Sequence, residues 1–382
     1  MISARCLVAG LIALGSGVAT TTATAEDLRF AVVAPIAGSP FFQAIEDGCA
    51  ARAKTLAGDG NTITCLYAGP GFPLDAPPVA AASAPAQSDP TLPPDVSKPV
   101  PQPAAQSADA PAPAAQAGPE AANPPSAVPP PPPAPKLDTR SQAQIVLDFV
   151  AKNVDGIALS PADDPAVRAA IGQAVKSGIP VVTFDADAPT SGRSAFVGTN
   201  ARDFGRSLGA SLKRWKPKGG KFAILATDPA QPNLAERVVG VRDGIGRDWL
   251  EIVDSPLKAG PTYADTVAGI DHLLDSYSDV DAVISVGAWP MLATDDWRAL
   301  IAKYKSRVDK AQVVLVVADA LPLQKDLVRE GLGHVLVGQR PTDMGARIAE
   351  LLHDLKHGRK VPEVVYVGFD TFTRLDLVGQ PD

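Results

Sequence analysis

Residues 178–185 read Gly-Ile-Pro-Val-Val-Thr-Phe-Asp, an apolar run that ends on a carboxylate. Residues 312–319, Gln-Val-Val-Leu-Val-Val-Ala-Asp, repeat the arrangement, and residues 334–339, His-Val-Leu-Val-Gly-Gln, end on an amide. Continuous apolar runs predict parallel strands that are buried on both faces. In open α/β sheets, ligands bind just beyond the carboxyl ends of such strands. The polar strand ends therefore predict a site for a small molecule that is rich in hydroxyl groups.

These runs belong to a regular alternation of strand and helix patterns. One series runs from Leu28 to Val197, and a second begins at Arg202 and ends with an extended stretch that begins with Val361–Gly368. Such alternation predicts parallel sheets with right-handed crossovers. Because the strands are too many for one ordinary open sheet, the expected fold class is α/β, with two doubly wound parallel-sheet lobes and a cleft between them.

The first 25 residues have the features of a secretory signal peptide. Arg5 supplies the positive charge, Cys6–Leu14 is the apolar core, and residues 23–25 (Ala-Thr-Ala) fit the cleavage pattern. The apolar core is too short to span a bilayer. We therefore expect export to the periplasm, with cleavage near Ala25-Glu26.

The charge balance limits the classes of partner. The chain has 35 basic and 42 acidic residues and a net charge of −7, and no block of Lys or Arg. This balance argues against nucleic acid and anionic membranes as partners. No segment after the signal reaches about 18 uncharged apolar residues, so no membrane-spanning helix is predicted.

From residue 70 to residue 137 the composition shifts to Pro and Ala. Such a segment buries too little apolar surface to offset its ordering entropy, so we expect a disordered, polyproline-II-like insertion. A tolerated surface loop is the favoured interpretation, and a segment for a proline-binding partner is the alternative. Because the strand–helix alternation continues on both sides, the segment is predicted to lie within one lobe.

Two cysteines follow the signal, Cys49 and Cys65. An even pair in an exported protein suggests a disulfide bond. The first is on a predicted helix, Pro40–Leu56, and the second is in the strand that follows, Thr62–Tyr67. These consecutive elements of a βαβ unit pack together, which can bring the thiols within bonding reach. The alternative is two small buried hydrophobic side chains.

Four motifs, in this order and spacing and together with an export signal, resemble those of the periplasmic sugar-binding proteins of the ribose-binding type. This superfamily also includes the ligand domains of LacI-like repressors. The resemblance covers Leu28 to about Leu377 apart from the insertion. The motifs are Ser39-Pro-Phe-Phe42, Val154-Asp-Gly-Ile-Ala-Leu-Ser-Pro161, Gly178–Asp185 with Val197-Gly-Thr-Asn200, and Asn233-Leu-Ala-Glu-Arg237 leading into Gly240.

The resemblance implies the type I periplasmic binding protein fold, in which a three-segment hinge joins the two lobes, with crossings expected near Thr199–Arg202, Gly338–Pro341 and Tyr366–Gly368. The N-terminal lobe is expected to comprise residues 26–69, 138–200 and 340–367, and the C-terminal lobe residues 201–339 and 368–382. In this family, ligand binding closes the hinge, and the closed form docks on a membrane transporter or a sensor.

The resemblance also implies ligand-binding residues. The aromatic position at Phe41 and Phe42 packs on the apolar face of the sugar. Asp185 and Asp319 accept hydrogen bonds from sugar hydroxyls, as strong charged acceptors. Arg237 donates two bonds from its planar fork. The alternatives are core phenylalanines, a capping carboxylate and a surface arginine.

Three further positions complete the predicted site. Gln339 is expected as a hinge-side amide, and Asn200 serves either the hinge or the ligand. Trp289 lies in a Gly-Ala-Trp-Pro turn where the family often has Asn-Asp, and it either stacks on the ligand or fills the lobe core. Ser39 also occupies a position where Asn is common, and Asp187 is a weaker candidate to replace an Arg that often follows Asp185. These departures predict a less polar site.

The sequence contains no convincing catalytic or metal-binding pattern. His353 and His357 have a spacing that can bind zinc, but no HExxH frame surrounds them, and a solvated helix end is the favoured interpretation. Gly219-Gly220-Lys221 precedes a strand, so it is not a phosphate loop. We expect no enzyme activity, no cofactor and no metal.

The predicted function is a monomeric periplasmic receptor that binds a sugar or polyol between the lobes and delivers it to the permease of an ABC importer. The alternative is a sensing subunit that signals to a membrane histidine kinase or chemoreceptor. A third interpretation is a periplasmic α/β enzyme. A LacI-like repressor is disfavoured by the signal peptide and the missing N-terminal DNA-binding helices.

Overall fold

The computed structural model describes residues 26–58, 61–72, 136–260 and 262–378. The predicted signal peptide and residues 73–135 of the predicted insertion lie outside these ranges. Across the described helices, none has the length and apolar character needed to cross a membrane.

The first series of elements builds most of one sheet. Its members, in chain order, are β1 (Asp27–Val33), α1 (Pro40–Ala57), β2 (Thr62–Ala68), α2 (Gln142–Ala151), β3 (Gly156–Leu159), α3 (Pro165–Lys176), β4 (Val181–Phe184) and β5 (Ala195–Gly198).

The second series builds most of a second sheet and includes two short elements that the sequence did not predict, β8 and α7. Its members are α4 (Ala201–Trp215), β6 (Gly220–Ala226), α5 (Pro232–Ile245), β7 (Trp249–Glu251), β8 (Leu257–Lys258), α6 (Tyr263–Ser276), β9 (Ala282–Ser285), α7 (Trp289–Leu292), α8 (Thr294–Asp309), β10 (Val314–Ala318), α9 (Pro322–Arg329) and β11 (Val335–Gln339). The chain then continues as α10 (Pro341–Lys356), β12 (Val364–Tyr366), β13 (Phe369–Thr373) and α11 (Arg374–Leu377).

The strands form two sheets. The first has the order β12-β5-β4-β3-β1-β2, and its described pairs are all parallel. The second has the order β13-β11-β10-β9-β6-β7, with β8 beside β6 and only β13 antiparallel among the described pairs. The predicted α/β class with two doubly wound sheets is confirmed. The chain passes between the sheets three times, after β5, after β11 and after β12, while the exact lobe boundaries stay a prediction.

The last extended stretch contains the third crossing between the sheets, at the place that the family resemblance implies. Strand β12 pairs with β5 in the first sheet, and β13 pairs at once with β11 in the second. The residues on both sides of Gly368 are β-branched and aromatic, so the local pattern alone favours one continuous strand, and it is the family resemblance that implies the crossing here.

Apolar layers cover both faces of each sheet. In β10, Val314 and Val316 pack into one buried cluster, while Leu315 and Val317 pack into another. Strand β1 divides its side chains in the same way between two further clusters. Because both faces are buried, the central strands are mainly apolar, and Asp185, Asp319 and Gln339 lie at or directly after strand ends.

A close helix pair holds the middle of α1 against α10. An ideal Cβ on Gly48 of α1 would lie 2.1 Å from the carbonyl oxygen of Thr342, and one on Gly345 of α10 would lie 2.0 Å from that of Ile45. Since only glycine fits such an approach, α1 and α10 pack with their backbones in contact.

The described chain on either side of residues 73–135 forms a hydrogen-bonded neck. The N–H of Gly71 donates to the carbonyl oxygen of Asp138 at 2.7 Å, and the N–H of Asp138 donates to that of Phe72 at 2.7 Å. The two ends therefore meet beside β2, the edge strand of the first sheet.

The predicted disulfide is confirmed. Cys49 of α1 and Cys65 of β2 are bonded, with their Cα atoms 6.3 Å apart and 16 positions apart in sequence. The bond joins the edge strand to the helix that packs on it. It restricts the unfolded chain over this loop, which stabilises the folded state.

Replacing both cysteines, in Cys49→Ser/Cys65→Ser, should lower the free energy of unfolding by about 3 kcal/mol, the loop-closure value for this separation. Urea denaturation of the oxidised proteins measures the difference. As the control, the two proteins should differ much less when both are fully reduced. Equal urea midpoints for the oxidised proteins would contradict a stabilising role.

Candidate ligand-binding site

A cavity of about 330 Å³ lies at the carboxyl ends of β4, β10 and β11. Both series of elements contribute to its lining. The structure brings together here seven of the eight residues that the sequence predicted for the site: Phe41, Phe42, Asp185, Arg237, Trp289, Asp319 and Gln339. The cavity therefore forms where strand ends of the two sheets meet, as expected for a ligand site in open α/β sheets.

Two carboxylates follow the strands in an unusual backbone conformation. Asp185 has a φ of 59° after β4, and Asp319 has a φ of 68° after β10. Residues other than glycine rarely occupy this left-handed region, although Asp tolerates it better than most. Such conformations cost about 1–3 kcal/mol and concentrate at functional sites, where the surrounding structure enforces them. The same strained strand end on both sheets marks this edge as the functional one.

Arg237 projects from α5 and is 5% exposed. Its Nη1 donates to the carbonyl oxygen of Val286 at 2.8 Å, and its guanidinium carbon lies 4.8 Å from the ring centroid of Phe204. Gly205 of α4 permits this arrangement, since a Cβ there would lie 2.1 Å from the Arg237 carbonyl oxygen. The Nε atom is buried and has no partner among the described residues. One donor of the guanidinium is therefore unsatisfied within the described chain.

Gln339, at the end of β11, is linked to Asp319. Its Nε2 donates to Oδ1 of Asp319 at 2.9 Å, while its Oε1 is buried and has no partner in the described chain. We call Asp185, Arg237, Asp319 and Gln339 the polar wall. Buried polar groups are normally hydrogen-bonded, and a hydroxyl group, which both donates and accepts, can satisfy the free Nε and the free Oε1 alike.

Burial shifts the titration of both carboxylates. It raises the pKa of Asp185 to about 6, against the lowering effect of Arg237 and with a further increase from Asp319. A hydrogen bond from Ser160 at 3.4 Å also acts to lower it. Burial likewise raises the pKa of Asp319, although Arg237, Gln339 and the Ala288 backbone favour its ionised form. With two acids around one guanidinium, the cavity disfavours anionic ligands.

A second part of the lining is apolar. Phe41 and Phe42 form an edge-to-face pair with ring centroids 5.4 Å apart and are 9% and 8% exposed. They share a buried cluster with Ala288 and Leu321, against which Leu292 packs. We call these five residues the apolar wall. It connects α1 to the segments that follow β9 and β10, so the two phenylalanines belong both to a hydrophobic core and to the cavity lining.

Trp289 also contacts two environments in the structure, the cavity and the hydrophobic core. The ring lines the cavity and packs against the apolar layers on both faces of the second sheet. An ideal Cβ on Gly287 would lie 2.4 Å from Cζ2 of this indole, so glycine is what lets the ring fold back over the turn. The predicted turn is the start of the short helix α7. Contact with a ligand stays a prediction.

Two predicted residues lie elsewhere. Asn200 is not part of the cavity lining; its side-chain oxygen accepts from the N–H of Asp203 at 3.0 Å and caps α4 directly after the first crossing. Asp187 forms two 2.7 Å bonds with Arg193 and accepts from Thr183 at 2.6 Å. With its oxygens already paired, it borders a smaller pocket of about 60 Å³ instead.

The cavity includes polar residues that sequence reasoning missed. Thr227 follows β6 as Asp185 follows β4, so the strand-end pattern that found the aspartates could have found it. Others lie at or near helix starts, where no strand-end signal exists: Gln231, Asn233, Thr262, Tyr263 and Thr266.

Comparisons with known proteins agree with this architecture. Residues 133–360 match the model of the periplasmic binding protein domain family. The chain belongs to this family. Among curated relatives, the ribose import binding protein RbsB of Bacillus subtilis is 24% identical over 228 residues, which are 60% of this chain and 72% of that protein. The family predicted from the four motifs is thereby confirmed.

Solved structures of this family share the fold. The glucose-galactose binding protein GanP of Geobacillus stearothermophilus has a TM-score of 0.66 and 19% identity, with 92% of this chain and 99% of that chain covered. An ABC transporter solute-binding protein of Burkholderia graminis, solved in complex with D-arabinose, has a TM-score of 0.67 and 19% identity, with 94% and 99% covered.

The substitution Asp185→Asn should stabilise the ligand-free protein above pH 6. The folded pKa of about 6 exceeds the ordinary value of 3.8, so the unfolded chain ionises first as the pH rises. The buried carboxylate therefore leaves the free energy of unfolding unchanged below pH 4 and lowers it by the full amount above pH 6. Asparagine tolerates the left-handed backbone, and we expect a gain of about 3 kcal/mol at pH 8 and none at pH 3.5.

Urea unfolding at the two pH values measures this gain, and Asp187→Asn is the matched control. Although burial acts the other way, bonds from Arg193 and Thr183 hold the pKa of Asp187 below its usual range. That variant should therefore lose stability at pH 8. If both variants lost stability there, the described electrostatics of Asp185 would be wrong.

Proposed function

We propose that this protein is a periplasmic solute receptor that binds an uncharged sugar or polyol in the cavity and delivers it to the permease of an ABC importer. The observation that carries the proposal is the polar wall. It offers two carboxylates at strained strand ends, a free guanidinium donor and a free amide acceptor, all buried or partly buried.

The polar wall suits vicinal hydroxyl groups. Hydroxyls donate to Asp185 and Asp319 and to Oε1 of Gln339, and they accept from Nε of Arg237. The rings of Phe41 and Trp289 can cover the C–H groups of a pyranose face. None of these contacts needs a net charge on the ligand, and the excess of acidic groups disfavours an anion.

Closure of the two lobes over the ligand is energetically accessible. To change the ratio of closed to open protein from 1:99 to 99:1, the ligand must bind the closed form more tightly than the open form by about 5.5 kcal/mol. Hydrogen bonds to charged groups contribute about 1.5–3 kcal/mol each. The three charged groups of the polar wall can therefore supply the difference, and closure then presents a changed surface to a membrane partner.

The known relatives support the sugar class and a binding role. The ribose import protein and the D-arabinose complex name sugars as their ligands, and the family consists of binding proteins. Our proposal contains no chemical step, and release of the ligand unchanged to a permease completes the cycle.

The substitution Asp319→Ala should abolish ligand-dependent thermal stabilisation while the protein stays folded. The charged acceptor of the second strand end is lost, along with its bond to Gln339. Thermal melting of the purified protein against pentoses, hexoses and polyols measures the shift. Native mass spectrometry of protein purified from the periplasm identifies a co-purified ligand by its mass.

Because Asp319 has a left-handed backbone, Asp319→Asn is the milder companion variant and should lose most of the shift as well. The control is Asp326→Ala, which removes an exposed carboxylate of α9 that pairs with Arg329. A full melting shift in both Asp319 variants with the identified ligand would contradict the proposed site. Catalytic turnover of that ligand would contradict the proposed function.

A further inference from the structure

The apolar wall is larger than the stacking of a sugar ring requires. Stacking on a sugar ring needs only aromatic rings, and Phe41, Phe42 and Trp289 provide three of them in the lining. The aliphatic side chains of Ala288, Leu292 and Leu321 lie beyond this need. They come from the segments that follow β9 and β10, two strands of the second sheet, and all three line the cavity.

The apolar wall provides no side-chain hydrogen-bonding group. Its five members are phenylalanine, leucine and alanine, and their cluster is a buried hydrophobic core that extends into the first sheet. A hydroxyl placed against it would lose its bonds to water without gaining a side-chain partner. Such an unpaired polar group is costly, whereas a methyl group in the same place is favoured by the removal of apolar surface from water.

The boundary between the two walls is fixed. Asp319 belongs to the polar wall, and it accepts both from Gln339 and from the backbone of Ala288, the first residue of the apolar segment before α7. The hydrogen-bonding and apolar parts of the lining are therefore adjacent and held in register. A ligand that fits both has hydroxyl groups on one part of a small ring and an apolar substituent close by.

We infer that the ligand is a deoxy sugar of the 6-deoxyhexose class, bound with its ring hydroxyls on the polar wall and its methyl group on the apolar wall. The inference rests on the proposed function, since it names the class of sugar for the same cavity. The inference specifies only the substituent on C6, because the polar wall does not distinguish one hexose stereoisomer from another.

Calorimetric titration with matched sugar pairs tests the inference directly. D-fucose is compared with D-galactose, 6-deoxy-D-glucose with D-glucose, and L-rhamnose with L-mannose, so that each pair differs only in the hydroxyl on C6. We expect the 6-deoxy sugar of the best-bound pair to bind about tenfold more tightly, the factor that an unpaired hydroxyl typically costs.

The variant Leu292→Asn places an amide in the apolar wall at a position that is only partly buried. It should reduce the preference for the 6-deoxy sugar to about twofold or less, because the C6 hydroxyl gains a partner. The control Leu375→Asn makes the same exchange on α11, at a leucine that is 88% exposed, and should leave the ratio of affinities unchanged.

Equal or tighter binding of the hydroxylated sugar in every pair overturns the inference, and so does the absence of binding by all six sugars. Neither result decides the proposed function, which the wider melting panel of pentoses and polyols tests separately. If Leu292→Asn does not fold, the titration of the wild-type protein with the matched sugar pairs tests the inference by itself. A preference that Leu292→Asn leaves intact would also overturn the role given to the apolar wall.

Discussion

The burial of two carboxylates around one guanidinium is the constraint on which the rest of this structure depends. Asp185 and Asp319 cannot lie beside Arg237 in a dry interior without leaving part of their charge uncompensated. Each one is therefore placed where a strand ends and a cavity begins. The close packing of α4 on α5 and the ring of Phe204 hold the guanidinium, and Gln339 holds Asp319.

Much of this site could be predicted from local sequence. An apolar run that ends abruptly on Asp or Gln reveals a buried strand and its functional end together, which is how Asp185, Asp319 and Gln339 were found. Arg237 and the phenylalanine pair have no such local signal and were found through motif resemblance. Tyr263 was missed because only the tertiary approach of α6 brings it to the cavity.

Other features depend on structure that a linear pattern does not contain. The crossing between β12 and β13 has no clear local signal and was implied by the family resemblance, and the capping role of Asn200 depends on the exact start of α4. The dual roles of Phe41, Phe42 and Trp289 were posed as alternatives. In the folded chain the same rings cover a core and line a cavity, because the cavity is where the apolar layers reach solvent.

The neck at Gly71, Phe72 and Asp138 has a consequence for how this chain tolerates change. Its two backbone bonds fasten both ends of the intervening residues beside one edge strand, so insertions or deletions between them leave every strand register as it is. The entropy of closing a loop grows only with the logarithm of its length, by about 0.6 kcal/mol for each doubling. The length and composition of the chain between the two ends of the neck can thus change in evolution at small thermodynamic cost to the fold.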